Sequence, residues 1–307
     1  MKNQTAGTQK FAFAFPLLAV LIWSGNTVVA KLAATAVQPG AISFYRWLVA
    51  GILMTPFLGR HTWANRQIVR QHLGKLALLA LLGMVIYQGF AYLAGKTTTA
   101  TNMGVIIAIM PLVSAILNAA VNEEAITSGV FVGGLLSIGG IVFLISHGHP
   151  ANLLDNGIRF GDGLMLAATV SYAAYGVLLK RWAIPLPTWQ SLYAQVGFAI
   201  VFLLPWFVLS PSSPVTAGNT SLILYAALPA SILAPYLWMN GVRLIGPGRA
   251  SLYMNLLPIF VALVAMLMLG EPLHSYHLIG GAATLVGVWL GQTATRPLIR
   301  AKGVQPR

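Results

Sequence analysis

Aromatic and amide side chains interrupt several long apolar stretches of this sequence. An indole or phenol ring can stack on a ring of a ligand, while an amide or hydroxyl group can hydrogen-bond a polar head group. For any single residue of this kind, packing between helices is an equally good interpretation. As a set, they predict one shared cavity that binds a small molecule. The residues expected to line it are Trp23, Asn26, Tyr87, Gln88, Tyr172, Tyr175, Trp238, Tyr253 and Asn255.

Such a cavity would be aromatic and nearly neutral. It suits a zwitterion with an apolar or aromatic side chain, because a ring can stack there and amides and tyrosine hydroxyls can meet the head group. It suits a doubly charged phosphate poorly, since that group requires clustered Arg or Lys.

Groups suited to catalysis or proton coupling lie outside the apolar stretches. Glu124 and Glu271, two of only five acidic residues, each precede a helix, where a carboxylate interacts favourably with the helix dipole. The six histidines fall in loops or at the ends of stretches, and there is no cysteine. We therefore expect no catalytic residues, no metal site and no cofactor, and we do not expect an enzyme. An ion channel is also disfavoured, because neither charged rings nor a glycine-rich carbonyl filter occurs.

The composition predicts an all-α membrane protein. Hydrophobic residues make up 57% of the chain and charged residues only 7%, with a mean hydropathy of +0.78. A membrane-spanning helix needs about 20 mostly apolar residues, whereas a membrane barrel shows short strands of alternating polarity. Ten continuous windows of the helical kind occur, at about 11–33, 39–58, 73–94, 98–121, 127–146, 161–179, 188–209, 220–242, 248–269 and 275–294.

The net charge of +13 does not indicate a nucleic-acid partner. The positions of the basic residues instead indicate the orientation of the chain in the membrane. With ten helices and a cytoplasmic N-terminus, fourteen of the eighteen Lys and Arg residues fall on the inner side and three on the outer side. This bias is the positive-inside rule, and it places both termini in the cytoplasm.

Arg46 is the one remaining basic residue, and it falls inside the second apolar window. A cation at the bilayer centre costs about 2.5 to 3.5 kcal/mol on insertion scales, so its charge must be compensated. Two interpretations remain open. Arg46 either hydrogen-bonds helix-end carbonyls as a structural residue, or binds the carboxylate of an amino acid as part of the cavity.

The chain contains an internal repeat. The landmarks Pro111, Glu124, Gly133-Gly134 and Gly140 recur 147 residues later as Pro258, Glu271, Gly280-Gly281 and Gly287. Because each half holds five predicted spans, an odd number, the second half must be inverted relative to the first. Inverted repeats are typical of secondary transporters. The expected segments are residues 1–146 (first five-helix repeat), 147–160 (outer linker), 161–294 (second repeat) and 295–307 (basic cytoplasmic tail).

Proline and glycine suggest where the two halves bend and pack. Pro111 and Pro258 lie near the middle of two spans, where they produce either passive kinks or hinges. Gly129 and Gly133, like Gly287 and Gly291, have the four-residue spacing that allows helices to approach closely. The fifth and tenth spans are therefore expected to be packing elements.

These features resemble the drug/metabolite transporter superfamily, in its EamA-type branch of ten-helix carriers. The resemblance rests on Trp23-Ser24-Gly25-Asn26, on Arg46, on the paired Pro-to-Glu-to-Gly runs, and on Leu269-Gly270-Glu271-Pro272. Asn122-Glu123-Glu124 departs from that last pattern. Within the branch, the chain looks most like bacterial inner-membrane exporters of aromatic and neutral amino acids.

The resemblance implies a secondary transporter that exports neutral amino acids, aromatic ones in particular, by alternating access across the bacterial inner membrane. Its partners would be that small-molecule substrate and the lipid bilayer, and a weak homodimer is left open. The alternative is an exporter of lipophilic cations or drugs, held by cation–π contacts. A membrane enzyme or a channel is the remaining, less favoured class.

Overall fold

The computed structural model describes residues 12–33, 36–94, 97–98, 100–153, 159–261, 263 and 274–299. Glu271, the centre of the expected linker (154–158) and residues 300–307 of the expected tail lie outside this part.

Helices account for nearly all of the regular structure in both halves. The first half contains α1 (Ala14–Ala33), α2 (Pro39–Ala64), α3 (Arg66–Gln71), α4 (Leu73–Ala80), α5 (Tyr87–Ala94), α6 (Ala100–Ala108), α7 (Met110–Asn122) and α8 (Ser128–Ile145). The second half contains α9 (Phe160–Trp182), α10 (Thr188–Leu209), α11 (Ala217–Ala227), α12 (Ala234–Ile245), α13 (Pro247–Leu252) and α14 (Ser275–Thr293). Short 3₁₀ turns cover Pro150–Leu153 and Tyr253–Leu256.

Six helical stretches of the described residues are long and apolar enough to cross a membrane, judged by length and composition. They are Pro39–Ala64, Leu73–Ala94, Ser128–Ile145, Phe160–Trp182, Thr188–Leu209 and Ala217–Ile245. Two shorter apolar helical stretches are Ala14–Thr27 and Ile106–Asn122. The all-helical membrane architecture therefore agrees with the sequence, while the total of ten spans and the cytoplasmic termini stay predictions.

Two of the long stretches pass through a π-helical segment that the sequence did not predict. The first π segment, Leu81–Ile86, joins α4 to α5, and the second π segment, Pro229–Leu233, joins α11 to α12. Their first residues, Leu81 and Pro229, are 148 residues apart, which matches the displacement of the repeat. π-Helical turns inside α-helices are rare and occur frequently at functional sites.

Helices α8 and α14 pack face to face along their glycines. The sequence predicted close packing of both helices but did not predict that they contact each other. A methyl group built at Gly140 would lie 2.6 Å from the carbonyl oxygen of Gly280. One built at Gly133 would collide with the carbonyl oxygen of Gly287. Gly133 in the first half is equivalent to Gly280 in the second half, and Gly140 is equivalent to Gly287. The repeat therefore converts the contact of Gly140 with Gly280 into the contact of Gly287 with Gly133. A two-fold axis perpendicular to both helices produces this exchange, and inverted repeats are expected to have such an axis.

Helices α2 and α10 form a second contact between the halves and run antiparallel. The Asn65 side chain, just after α2, donates to Gln190 Oε1 near the start of α10 (2.8 Å). The backbone N–H of Gln38, just before α2, donates to the Ser213 hydroxyl beyond the end of α10 (3.1 Å). Both ends of the pair are thus fixed by hydrogen bonds.

A small antiparallel sheet joins the loop before α8 to the beginning of the expected tail. Strand β1 (Ile126–Thr127) pairs with β2 (Pro297–Ile299). The sequence did not predict either strand, because two or three residues carry no readable alternation of polarity. Thr127 also caps α8, since its hydroxyl accepts a hydrogen bond from the Val130 backbone N–H (3.3 Å).

Candidate functional site

Five of the predicted cavity residues form one group, called the aromatic cluster below: Trp23, Tyr87, Tyr172, Tyr175 and Trp238. The ring of Tyr172 is central. Its centroid lies 4.5 Å from that of Tyr87, 5.5 Å from Tyr175, 5.6 Å from Trp238 and 6.2 Å from Trp23. The rings meet tilted or edge to face, which are favourable aromatic arrangements.

Four helices from both halves build the aromatic cluster. Trp23 comes from α1, Tyr87 is the first residue of α5, and Trp238 lies in α12. Tyr172 and Tyr175 are three residues apart on α9 and therefore share one face of that helix. The cluster thus lies where the two halves meet.

Gly83 lets the aromatic cluster pack against the first π segment. A methyl group at this position would lie 2.8 Å from the ring of Tyr175, too close for any real side chain. The sequence analysis did not single out Gly83, since an isolated glycine in an apolar stretch has many interpretations.

A matched pair of hydrogen bonds connects each π segment to a helix of the other half. The indole N–H of Trp23 donates to the carbonyl oxygen of Ala230 in the second π segment (3.1 Å). The hydroxyl of Ser171 donates to the carbonyl oxygen of Leu82 in the first π segment (2.9 Å). Trp23 and Ser171 are 148 residues apart, as are Leu82 and Ala230, so the two bonds are repeat equivalents. Ser171 was not among the residues predicted from the sequence.

Arg46 is almost completely buried (1% exposed) and lies beside the second π segment. Its Nε donates to the Ser231 hydroxyl (2.6 Å), Nη1 to Gln88 Oε1 (2.7 Å) and Nη2 to the Ala230 carbonyl oxygen (3.2 Å). The guanidinium carbon also lies 5.3 Å from the ring centre of Trp47. The positive charge is therefore compensated by protein groups, and the three hydrogen bonds join α2, α5 and the second π segment.

The indole N–H of Trp238 has no hydrogen-bond partner within the described residues, although the side chain is only 2% exposed. A buried donor without an acceptor costs about 1 to 3 kcal/mol.

The other predicted residues do not belong to the aromatic cluster. Asn26 is half-buried on α1, one helical turn after Trp23. Tyr253 is buried in the hydrophobic core, and none of the described ring contacts joins it to the aromatic cluster. Asn255 donates to the Ser137 hydroxyl of α8 (2.9 Å), and its own carbonyl oxygen has no partner in the described part of the chain.

The two prolines considered as hinges each follow a break in a helix. Pro111 is the second residue of α7, just after the helix is interrupted at Ile109. Pro258 comes two residues after the 3₁₀ turn Tyr253–Leu256. Proline has no backbone N–H and cannot donate a helical hydrogen bond, which is consistent with a break at these positions. The hinge role stays a prediction.

Glu124 forms an ion pair with Lys180, which lies in the last turn of α9. Asn118 adds a hydrogen bond to Glu124 Oε2 (3.0 Å). Burial alone would raise the pKa of Glu124, but the hydrogen bonds from Lys180 and Asn118 and the charge of Lys180 outweigh it and hold the pKa below its ordinary value. The carboxylate thus links the two halves outside the apolar stretches.

Among the described residues, no group of three or more His, Asp and Glu side chains could hold a metal ion. The chemistry that the site offers is stacking and hydrogen bonding.

Comparison with known proteins places this chain among transporters. The model of the EamA-like transporter family matches it twice, at residues 10–146 and 159–291. A protein called "Uncharacterized transporter" from Archaeoglobus fulgidus is 27% identical over 282 residues, covering 89% of this chain and 94% of the relative. Protein PecM of Dickeya dadantii is 27% identical over 280 residues, covering 87% of each chain.

The fold itself has been observed in a crystal structure. One solved protein chain superposes with a TM-score of 0.73 at 19% sequence identity, covering 92% of this chain and 96% of the other. At that identity, the likeness extends to the fold alone.

Proposed function

The chain belongs to the EamA-like transporter family, and from this premise we propose that it exports neutral amino acids, aromatic ones in particular, by alternating access across a bacterial inner membrane. The aromatic cluster is the substrate site in this proposal.

The observation that carries the proposal is the unpartnered indole N–H of Trp238 within a cluster of five aromatic rings. The rings offer stacking surfaces to an apolar or aromatic side chain. The N–H offers a hydrogen bond to a carboxylate, the one acceptor group that every amino acid carries. Asn26, one helical turn after Trp23, and Gln88, next to Tyr87 in sequence, complete the polar contacts to the head group.

The paired π segments support alternating access. Each is hydrogen-bonded to a helix of the opposite half by one of two equivalent contacts, Trp23 to Ala230 and Ser171 to Leu82. When similar halves are inverted, rocking one half against the other interchanges two mirror-related states. In the proposed cycle, the π segments and the breaks before Pro111 and Pro258 absorb the change of shape.

The acidic residues of the described part, Glu123, Glu124 and Asp162, lie at helix ends rather than within the aromatic cluster. Buried carboxylates are the usual carriers of protons in coupled exchange. We therefore propose transport down the substrate gradient.

A second candidate is export of lipophilic cations, because the same rings can hold a cation over their faces. The two substrate classes would contact different parts of the Trp238 side chain. An indole N–H attracts a carboxylate, whereas a cation interacts with the ring face alone.

Replacement of Trp238 by Phe tests the site. The variant keeps an aromatic ring and removes only the N–H, so the KM for labelled phenylalanine in proteoliposomes should rise about tenfold or more, as expected for a lost hydrogen bond to a charged group. Thermal stability without substrate should be unchanged or higher, because an unpaired buried donor is removed.

Trp63→Phe is the matched control, since Trp63 is 72% exposed and lies outside the aromatic cluster. An unchanged KM in Trp238→Phe would disprove the assigned contact. Saturable flux of an organic cation, with no flux of any amino acid, would favour the second candidate.

A further inference from the structure

A groove of about 460 Å³ opens on the surface of the helices, between α2 and α10. Its walls are α2 from Leu48 to Thr62 and α10 from Tyr193 to Val201, and Val69 and Leu73 close one end. We call it the α2–α10 groove. None of its lining residues belongs to the aromatic cluster.

The dimensions of the groove fit one extended hydrocarbon chain. Leu48 and Thr62 are fourteen residues apart on α2, which corresponds to about 21 Å at a helical rise of 1.5 Å per residue. Half of the hydrocarbon core of a bilayer measures about 15 Å, so a groove of this length can hold an acyl chain over the depth of one leaflet. At Gly197, an added methyl group would meet no atom within 4 Å, so the missing side chain leaves the groove open.

The end of the groove beside α3 is strongly basic. Arg60, Arg66 and Arg70 are all exposed there, and residues 60–75 contain no Asp or Glu. Arg66 and Arg70 are four residues apart on α3 and share one face of it, and Arg70 directly follows the lining residue Val69. Trp63 is 72% exposed beside them, as is typical of tryptophan at a membrane interface.

We propose that the α2–α10 groove binds one anionic phospholipid. An acyl chain lies along the apolar walls, and the phosphate is bound by Arg66 and Arg70, with Arg60 adding to the positive field. Arginine is suited to this role because its planar fork donates two parallel hydrogen bonds to phosphate oxygens. Basic clusters beside membrane-spanning helices attract anionic lipid head groups.

The bound lipid would support the contact between the two halves. Helices α2 and α10 come from different repeats, and they are tied at their ends by Asn65 with Gln190 and by Gln38 with Ser213. A chain between them fills the recess midway. This inference rests on the groove and its arginines and is independent of the transported substrate.

Native mass spectrometry of the purified chain tests the proposal with two added lipids, phosphatidylglycerol and phosphatidylcholine of identical acyl chains. We expect the wild type to retain one phosphatidylglycerol with higher affinity than phosphatidylcholine. The double variant Arg66→Gln/Arg70→Gln should lose the difference, by about fivefold in affinity for each arginine, which corresponds to about 1 kcal/mol per charge. Gly197→Leu, which fills the groove, should weaken the binding of both lipids.

Two controls make the test specific. Arg181→Gln removes an exposed arginine at the end of α9, and Gly139→Leu adds the same side chain at an exposed glycine of α8 with equally open surroundings. Equal affinity for the two lipids in the wild type would overturn the proposal. So would an Arg66→Gln/Arg70→Gln variant that binds like Arg181→Gln, or a Gly197→Leu variant that binds like Gly139→Leu.

Discussion

Among single residues, Arg46 shows that a buried charged side chain needs hydrogen-bond partners. The sequence left two roles open for it. Its three hydrogen bonds to Ser231, Gln88 and Ala230 favour the structural role, because they occupy the guanidinium from three sides and connect it to a π segment. Its equivalent in the second half is Ala194 or Gln195, so the charge is not repeated.

Arg46→Lys separates the two roles. A lysine keeps the charge but cannot reach three acceptors at once, so buried oxygens would lose their partners at about 1 to 3 kcal/mol each. We expect a clear fall in the melting temperature of the detergent-solubilised protein, with the KM for substrate changed little. The exposed Arg181→Lys is the control. An unchanged melting temperature together with a raised KM would instead identify Arg46 as the carboxylate anchor.

Residue types identified most of the aromatic cluster before its geometry was known. Trp23, Tyr87, Tyr172, Tyr175 and Trp238 were singled out because aromatic side chains inside apolar stretches are unusual away from the membrane interface. Ser171 and Gly83 were missed, because their importance depends on which helix faces them. A serine hydroxyl in a long helix normally bonds its own backbone, and only the fold shows that Ser171 reaches Leu82 instead.

At the level of helices, the α8–α14 contact brings the backbones of the two halves together at glycines. This contact depends on glycines, because a side chain at these positions would push the two helices apart. The neighbouring Gly139 faces open space. Adjacent positions on one helix therefore have opposite tolerance to substitution.

Gly140→Val should prevent folding or strongly lower stability, because its side chain would collide with the backbone of Gly280, which cannot move aside as a flexible side chain could. Gly139→Val, with no atom within 4 Å of the new methyl position, should fold normally. Size-exclusion chromatography and thermal melting of both variants measure this. Equal behaviour of the two variants would show that the helices are not packed as described.

Helix breaks were predictable only where proline causes them. The breaks before Pro111 and Pro258 follow from the missing backbone N–H of proline. The first π segment contains no proline. Its geometry accompanies a hydrogen bond from Ser171 in another helix, and such tertiary contacts cannot be read from a local sequence window.

At the scale of the whole molecule, the repeat organises the fold. The offset of 147 to 148 residues, first read from Pro, Glu and Gly landmarks, recurs in the π segments, in the glycine contacts and in the paired hydrogen bonds of Trp23 and Ser171. Hydropathy predicted the helical membrane class reliably, since apolar length alone decides it. It could not reveal which helices are interrupted or how they pack.

The cysteine-free chain allows a direct test of the predicted orientation. Gln67 in α3 and Ser212 after α10 are both exposed, and the positive-inside rule assigns these two segments to opposite sides of the membrane. In intact cells, a membrane-impermeant maleimide should label Ser212→Cys and not Gln67→Cys, whereas permeabilised cells should show labelling of both. Labelling of Gln67→Cys in intact cells would reverse the assigned orientation.

Counterflow in proteoliposomes tests whether this chain carries amino acids by alternating access, with labelled phenylalanine outside and excess unlabelled phenylalanine inside. We expect uptake that saturates with concentration, is accelerated by the internal amino acid, and shows a raised KM in Trp238→Phe. Uptake that rises linearly without such acceleration, or no uptake of any amino acid, would show that the proposed transport is wrong.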